Sequence, residues 1–456
     1  MRLFDAQLYI DRRTRLCEEV QSGIIWIMGN GESACNYKDN TYPFRQNSNF
    51  LYYFGINAPD LNALLDCETG ETVIYGHELT MDDIIWMGEI DKLSNLARKV
   101  GVTKIKEPAA LQTDIAKAKS KGISVHFTPA YRLEHHEAVH QAGLDYPSLS
   151  LIEAIFNQRA IKSDLELQEM AKAVNITGEM HVAAMQFSKA GKYEYEVVAE
   201  ITRICKAHNA DFSYGPIFSI DGQVLHNHHH ANLMKDGRLV LNDSGAQTDM
   251  LYAGDITRTF PVSGRFTDQQ KEIYQIVLEM EKKGIMSCKP GVYYRDVHLT
   301  VCKLMIERFK ELGILNGDSD AMLEQGIYGL FMPHGLGHMI GLDVHDMEDL
   351  GENHIGYEAG QERSKLLGLK SLRLARKLQA GFTLTVEPGI YFIPQLIEKY
   401  KAAHLFSDYV NYNKLEAYYD FGGIRVEDNI VVTQEGCEVI GDYIPKEMEE
   451  IESIMQ

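Results

Sequence analysis

Apolar positions fall in short blocks over the first third of the chain and at helical spacing over much of the rest. Between about residues 20 and 130, GIIWIM, NALLDC, ETVIYG and DIIWMG are apolar runs of strand length, while DKLSNLARKV and LQTDIAKAKS carry apolar residues with helical period. Their alternation predicts an α/β domain. Residues 42–56, YPFRQNSNFLYYFGI, set Arg45, Gln46, Asn47 and Asn49 among six aromatics. This stretch reads as an edge strand and loop packed by aromatics, with a substrate-facing wall as the competing assignment.

Between Ser148 and Ile161 the pattern changes, and a long amphipathic helix follows in which Ser163 and Glu166 occupy capping-box positions. The boundary is expected near residue 155, giving domains 1–155 and 156–456. Further helices are predicted in YEYEVVAEITRICKAH, in TDQQKEIYQIVLEMEKKG from Thr267, and in RDVHLTVCKLMIERFKELG. Strand-like runs lie between and after them, so the second unit, of about 300 residues, reads as α+β. No simple tandem repeat is evident.

Several carboxylates sit where surface residues do not belong. RLVLNDSG places Leu239, Leu241 and Asp243 on one strand face, and DMLYAGDITRTF places Leu251, Ala253, Asp255 and Thr257 on one face of a second strand. Read alone, Asp243 is a turn cap; Asp255 has a weaker excuse. In FTLTVEPGIYF, Thr383, Thr385 and Glu387 share a face and Pro388 halts the strand, and in GGIRVEDNIVV Arg425 and Glu427 share a face. Four carboxylates thus end or interrupt apolar strands. Burying them unpaired is costly, so they require shared cations or a set of independent salt bridges. FMPHGLGHMIGLDVHD adds His334, His338 and His345, and one imidazole with four carboxylates suits hard, manganese-like divalent ions. In LHNHHHANLM, His228, His229 and His230 read equally well as a wet loop, while His226 follows an apolar run and could face a cleft.

Composition narrows the function classes. The net charge of −20 repels nucleic acid and anionic lipid, and 45% hydrophobic content supports a folded core. The seven cysteines, never in a CxxC pair, read as free thiols, small core residues in a reducing compartment. MRLFDAQLYIDRR reaches charge without a signal-peptide run, and no segment is apolar enough to span a bilayer. The expectation is a cytoplasmic protein without nucleic-acid or membrane partners.

In the combination of NDSG, GDITRTF, HGLGHMIGLDVHD, TVEPG and GGIRVEDN, the chain resembles the pita-bread metallopeptidases, in the proline-directed branch that contains aminopeptidase P and prolidase. The resemblance spans about residues 155–440, with support from YPFRQNSNFLYYFG in the first domain. It implies an α/β N-terminal domain that frames substrate, followed by an α+β pita-bread catalytic domain. It also implies Asp243, Asp255, His338, Glu387 and Glu427 as metal ligands, and two divalent ions, Mn2+ first, with Co2+, Zn2+ or Fe2+ as alternatives. Further implied are His226 and His345 beside the substrate, Arg425 as brace of the ligand network and His334 as a pocket-wall residue. Hydrolysis would then use metal-activated water, with Glu387 as proton shuttle to the proline nitrogen.

The long interval between Glu387 and Glu427, and SLRLARKLQAG with Arg373 placed to grip a terminal carboxylate, resemble prolidase. The expected substrates are therefore Xaa-Pro dipeptides. Release of the first residue from longer peptides with proline second is the alternative, and a non-catalytic peptide- or protein-binding module is the alternative from a different class. The family's usual assembly implies a homodimer.

Overall fold

In the computed structural model, which describes residues 2–88 and 90–456, two units separate. The first runs through Arg159 and takes in Met347–His354; the second comprises Ala160–Asp346 and Ile355–Gln456. Residue 155 lies inside the helix that closes the first unit.

The first unit runs α1 (Ala6–Val20), β1 (Ile24–Met28), a ribbon of β2 (Ala34–Tyr37) and β3 (Asn40–Thr41), α2 (Ser48–Phe54), β4 (Asn62–Asp66) and β5 (Thr72–Tyr75). It continues with α3 (Met81–Met87), α4 (Leu93–Lys99), β6 (Lys104–Lys106), α5 (Ala110–Ser120), β7 (Val125–His126), α6 (Leu133–Gln141) and α7 (Leu149–Arg159). The strands form one mixed sheet, ordered β6-β5-β4-β1-β7. Trp26, Leu64, Val73, Ile115 and Phe127 share one buried cluster of its core.

Two expectations for this unit are corrected. DIIWMG is not a strand but lies in α3, where the Thr80 and Asp83 capping box starts a helix and Met81, Ile85, Trp86 and Met87 remain exposed. A run of apolar residues exposed on this helix has the same sequence signature as a short buried strand. Likewise, the aromatic stretch is not an edge strand with a loop. Its second half is the buried helix α2, started by Asn47, whose side chain accepts from Asn49 N at 2.9 Å and Phe50 N at 3.3 Å.

The polar residues of that stretch are engaged internally. Gln46, fully buried, accepts from Asn30 N at 2.6 Å and donates to Ala58 O at 2.7 Å. At the carbonyl end of α2, Arg12 donates to Tyr52 O at 2.9 Å and Arg13 to Tyr53 O at 2.7 Å, cations where the helix dipole favours them.

In the second unit two helix pairs, α8 (Asp164–Phe187) with α9 (Glu194–Ala207) and α10 (Asp268–Ser287) with α11 (Tyr294–Glu311), support short sheets. Capping boxes open both long helices: Ser163 N donates to Glu166 at 3.0 Å, and Thr267 N to Gln270 at 2.9 Å. Each pair turns at a left-handed glycine, Gly191 (φ +89°) and Gly291 (φ +86°), followed by Tyr193 and Tyr293, which bridge to Leu233 and Lys377. The pairs are thus a diverged repeat, with SKAGKY aligned to CKPGVY, too changed to stand out as a tandem pattern.

The strands are β8 (Asp211–Phe212), β9 (Ile217–Ser219), β10 (Leu239–Ser244), β11 (Ala246–Gln247) and β12 (Ile256–Pro261), then β13 (Thr383–Val386), β14 (Gly389–Tyr391), β15 (Gly423–Arg425), β16 (Asp428–Val432) and β17 (Cys437–Val439). They pair as β12-β10-β9, β13-β16-β17, β14-β15 and β11-β8. The strand expected from Leu251 starts later, at Ile256. Leu251 is left-handed at φ +66°, and the chain closes a turn with Leu251 N donating to Thr248 O at 2.8 Å. The expectation that the cysteines are core residues holds for Cys205, Cys288 and Cys302; Cys35 is exposed and Cys17, Cys67 and Cys437 are half-buried.

Two fully buried histidines make a pH prediction. His181 donates from Nε2 to Ser244 O at 3.1 Å and accepts at Nδ1 from Asn242 at 3.1 Å; burial, then Arg258, pushes its pKa down to about 3. Burial pushes His298 down to about 4. In the unfolded chain both bind protons near the ordinary value of about 6.5. Each therefore costs stability as pH falls below that value, by up to about 1.4 kcal/mol per pH unit. The urea midpoint of the parent relative to His298→Gln should therefore fall between pH 7 and pH 5; a difference that does not change with pH would count against His298.

Candidate metal centre and active site

The site forms where the ends of β10, β12, β13 and β16 converge. Asp243 is on β10, paired with Thr257 of β12. Asp255 lies just before β12, with its backbone N–H donating to Asn429 Oδ1 at 3.0 Å and its carbonyl accepting from Asn429 Nδ2 at 2.6 Å. Glu387 follows β13, and Glu427 lies between β15 and β16 and bridges to Thr257 of β12. The threonines expected beside Glu387 hold the histidine loop: Thr385 Oγ1 accepts from His338 N at 3.1 Å and Thr383 Oγ1 donates to Ile340 O at 2.6 Å. Gly337 permits that contact, since a Cβ there would stand 2.1 Å from Thr385 O.

Among the described residues, Asp255, His338 and Glu427 offer ligand atoms that all lie within 4.8 Å of one another. Glu387 adjoins them, with Oε1 3.6 Å from His338 Nε2, which is itself 3.3 Å from Asp255 Oδ2. Asp243 is connected through Tyr214, whose hydroxyl stands 2.5 Å from Oδ1 of both Asp243 and Asp255. Arg425 donates to Asp243 Oδ2, to Tyr391 Oη at 2.7 Å and to Thr257 Oγ1 at 3.1 Å. Thr257 in turn donates to Glu427 Oε2 at 2.6 Å.

The electrostatics are those of crowded buried anions. Burial, then Asp255, Glu387 and Asp243, pushes Glu427 far above the usual carboxylate range. Burial pushes Glu387 up to about 7, against the pull of His338 and Arg425. Asp243 is raised by burial despite Arg425. For His338 burial acts downward, but the Asp255 hydrogen bond and the Glu387 charge prevail and raise it to about 9. Its Nδ1 donates to Met339 O at 3.0 Å, so Nε2 faces the carboxylates in the orientation a metal ligand needs.

These residues fit a divalent cation. Glu427 Oε1 is buried with no hydrogen-bond partner, a cost that a cation removes, and an oxygen-rich set with one imidazole is the chemistry of hard divalent metals.

The other sequence-selected histidines differ in setting. The His345 ring is 4.3 Å from that of His338 and is held neutral, pushed down to about 2 by burial and then by the His338 charge. His334 hydrogen-bonds Tyr391 Oη at 2.9 Å and Gly335 O at 2.7 Å; burial and Arg425 push it down to about 3. His226 lies in the loop after β9 and is exposed, with its pKa lowered by desolvation and by Arg425. The Arg373 charge reaches both His226 and His345. His228 and His229 are exposed, as a wet loop requires, and His230 is half-buried against Phe218 O at 3.2 Å. Behind His345, Lys162 and Asp346 form a buried ion pair at 2.9 Å.

Tyr214 and Tyr391 belong to this network and carry no sequence signal that singles them out. Tyr214 is 29 and 41 residues from the aspartates that it joins.

Residues 168–434 match the model of metallopeptidase family M24, and residues 9–126 match that of the aminopeptidase P N-terminal domain. The chain is 32% identical to the human Xaa-Pro dipeptidase, covering 98% of this chain and 93% of that protein. It is 33% identical to a probable Xaa-Pro aminopeptidase of Fusarium vanettenii, covering 95% and 92%. Zinc-substituted Escherichia coli aminopeptidase P in complex with product superposes with a TM-score of 0.82 at 30% identity, over 100% of this chain and 99% of that one. Among the described residues no helix is long and apolar enough to cross a membrane. With the acidic cluster and its histidine in place, the chain belongs to metallopeptidase family M24, as a metal-dependent Xaa-Pro peptidase of the pita-bread fold.

Proposed function

We propose that the enzyme is an Xaa-Pro dipeptidase, hydrolysing the imide bond of two-residue substrates at a centre for two divalent ions, manganese in first place. Asp243, Asp255, His338, Glu387 and Glu427 hold the ions, which when bound supply Lewis acidity toward water and toward the scissile carbonyl. The protein's own groups do the rest. Glu387 carries a proton to the proline nitrogen, and neutral His226 and His345 donate hydrogen bonds to the carbonyl as it gains charge. Arg425 holds Asp243 and Tyr391 in place, and His334 positions the pocket wall through the same Tyr391 hydroxyl. In this reading the enzyme works as a cytoplasmic homodimer.

What supports the dipeptidase choice is Arg373 in the prolidase-like segment SLRLARKLQAG, with its charge felt at both His226 and His345. In this reading its guanidinium meets a free carboxylate, and a bidentate clamp there favours substrates that end at proline. The likeness to E. coli aminopeptidase P favours the second reading, cleavage of longer chains.

Gly-Pro, Ala-Pro, Ala-Pro-Ala and Ala-Ala, assayed with defined metals, separate the two. Dipeptide cleavage with Arg373→Ala losing about 10- to 100-fold in kcat/KM, the worth of a charge-assisted pair, supports the dipeptidase. Faster cleavage of Ala-Pro-Ala, indifferent to the substitution, makes it an aminopeptidase.

A further inference from the structure

Two thiols of the first unit lie face to face. Cys17 is on the last turn of α1 and Cys67 directly follows β4; the peptidase chemistry uses neither. The chain brings them together at Gly23. Gln21 N donates to Cys17 O at 2.8 Å, ending the helix, and Cys67 N donates to Gly23 O at 3.0 Å, prolonging the ladder in which Ile24 pairs with Asp66. Gly23 is left-handed at φ +90°, and a Cβ there would stand 2.7 Å from Ser124 O, so this junction is set by the backbone. The two side chains are neighbours that act on each other's charge. Both are half-buried, and both line one open cavity of about 750 Å³ together with Arg13, Glu18, Gln21 and Lys104.

We propose that Cys17 and Cys67 form a reversible redox pair, closed to an intramolecular disulfide by small-molecule disulfides of the glutathione class and reopened by reduced thiols. The cavity admits the oxidant, and the pairing supplies both an attacking and a resolving sulfur. Cys17 attacks: it lines the cavity beside Arg13, and the neighbouring Cys67 and the Arg13 charge hold its thiol below the usual range despite partial burial and Asp66. Cys17, with burial, pushes Cys67 up.

The Cys17 thiolate breaks the sulfur–sulfur bond of glutathione disulfide, forming a mixed disulfide and releasing one glutathione, which takes the proton that Cys17 gave up. The Cys67 sulfur then displaces the second glutathione from Cys17, and the Cys67 proton goes to that leaving group. Two protein thiols lose two electrons, and one glutathione disulfide becomes two thiols. The bond ties α1, whose Arg12 and Arg13 hold the carbonyl end of α2, to the end of β4.

The test uses the full chain equilibrated in reduced and oxidised glutathione at varied ratios, then quenched with N-ethylmaleimide. Combined digestion at basic and glutamate residues puts Cys17, Cys35 and Cys67 on separate peptides. The expected result is a linked Cys17–Cys67 peptide whose two labels vanish together as the buffer becomes oxidising and return with dithiothreitol, with slower amide exchange along α1. Cys67→Ser should leave a glutathione adduct on Cys17, and Cys17→Ser should leave Cys67 alkylated. Separate labelling of both cysteines while exposed Cys35 takes up glutathione would overturn the proposal. A Cys17 adduct that persists without a cross-link in the parent chain would do the same. Neither readout depends on peptidase activity.

Discussion

Glu427→Ala should lower kcat/KM for Ala-Pro by about 10³-fold or more, the scale on which charge stabilisation at a metal-assisted centre operates, and should reduce the divalent metal retained after gel filtration. The expectation follows from how Glu427 is held. Its residue is 1% exposed, Oε2 takes the Thr257 hydroxyl at 2.6 Å, and Oε1 is buried with no hydrogen-bond partner. A carboxylate so placed, beside Asp255, Glu387 and Asp243, is raised far above its ordinary pKa and is stabilised as an anion when a cation shares the site. Removing it takes away one of the three closest ligand atoms of the cluster while leaving Thr257 its hydrogen bond from Arg425. Metal content by plasma mass spectrometry, read alongside kinetics and thermal unfolding, separates ligand loss from misfolding. Unchanged metal stoichiometry with activity within tenfold of the parent would remove Glu427 from the ligand set.

Much of the site was legible in the sequence because strands have a period of two. Asp243 and Thr257 were read on the faces of two consecutive strands, and they are cross-strand partners in the β10–β12 ladder. Thr383 and Thr385 were read on one face with Glu387, and both threonines hold the backbone of the His338 loop. The helices announced themselves through caps and long amphipathic periods, as at Ser163 and Thr267.

What stayed hidden has physical reasons. Tyr214 belongs to no periodic element, and only folding places its hydroxyl between two aspartates. The start of β12 is not legible, because a left-handed Leu251 is unusual for a branched aliphatic residue. In α2 the aromatic content argues for a strand, yet Asn47 at the N-cap and two buried arginines at the far end decide for a helix. Local propensity yields there to contacts that are distant in sequence.

Glu387→Gln should lower kcat for Ala-Pro by about 10²- to 10⁴-fold, the range for loss of a positioned acid–base group, with KM changed only a few-fold. Glu387 has the setting such a group needs. Its side chain is 20% exposed, against 12% for Asp243 and 8% for Asp255, so it can reach substrate while its neighbours stay sealed. Its backbone N–H is fixed to Leu336 O at 2.9 Å, and Pro388 stiffens the following residue. Burial pushes its carboxyl up while His338 and Arg425 pull it down, and a cation held beside it would favour the carboxylate form that accepts a proton. Glutamine keeps the shape and one acceptor oxygen but has no proton to relay. Metal content decides between the two roles of Glu387. Retained metal with a depressed kcat identifies the lost function as proton transfer, whereas metal loss as complete as in Glu427→Ala would reduce Glu387 to a ligand alone. A kcat within tenfold of the parent would leave the relay to another group.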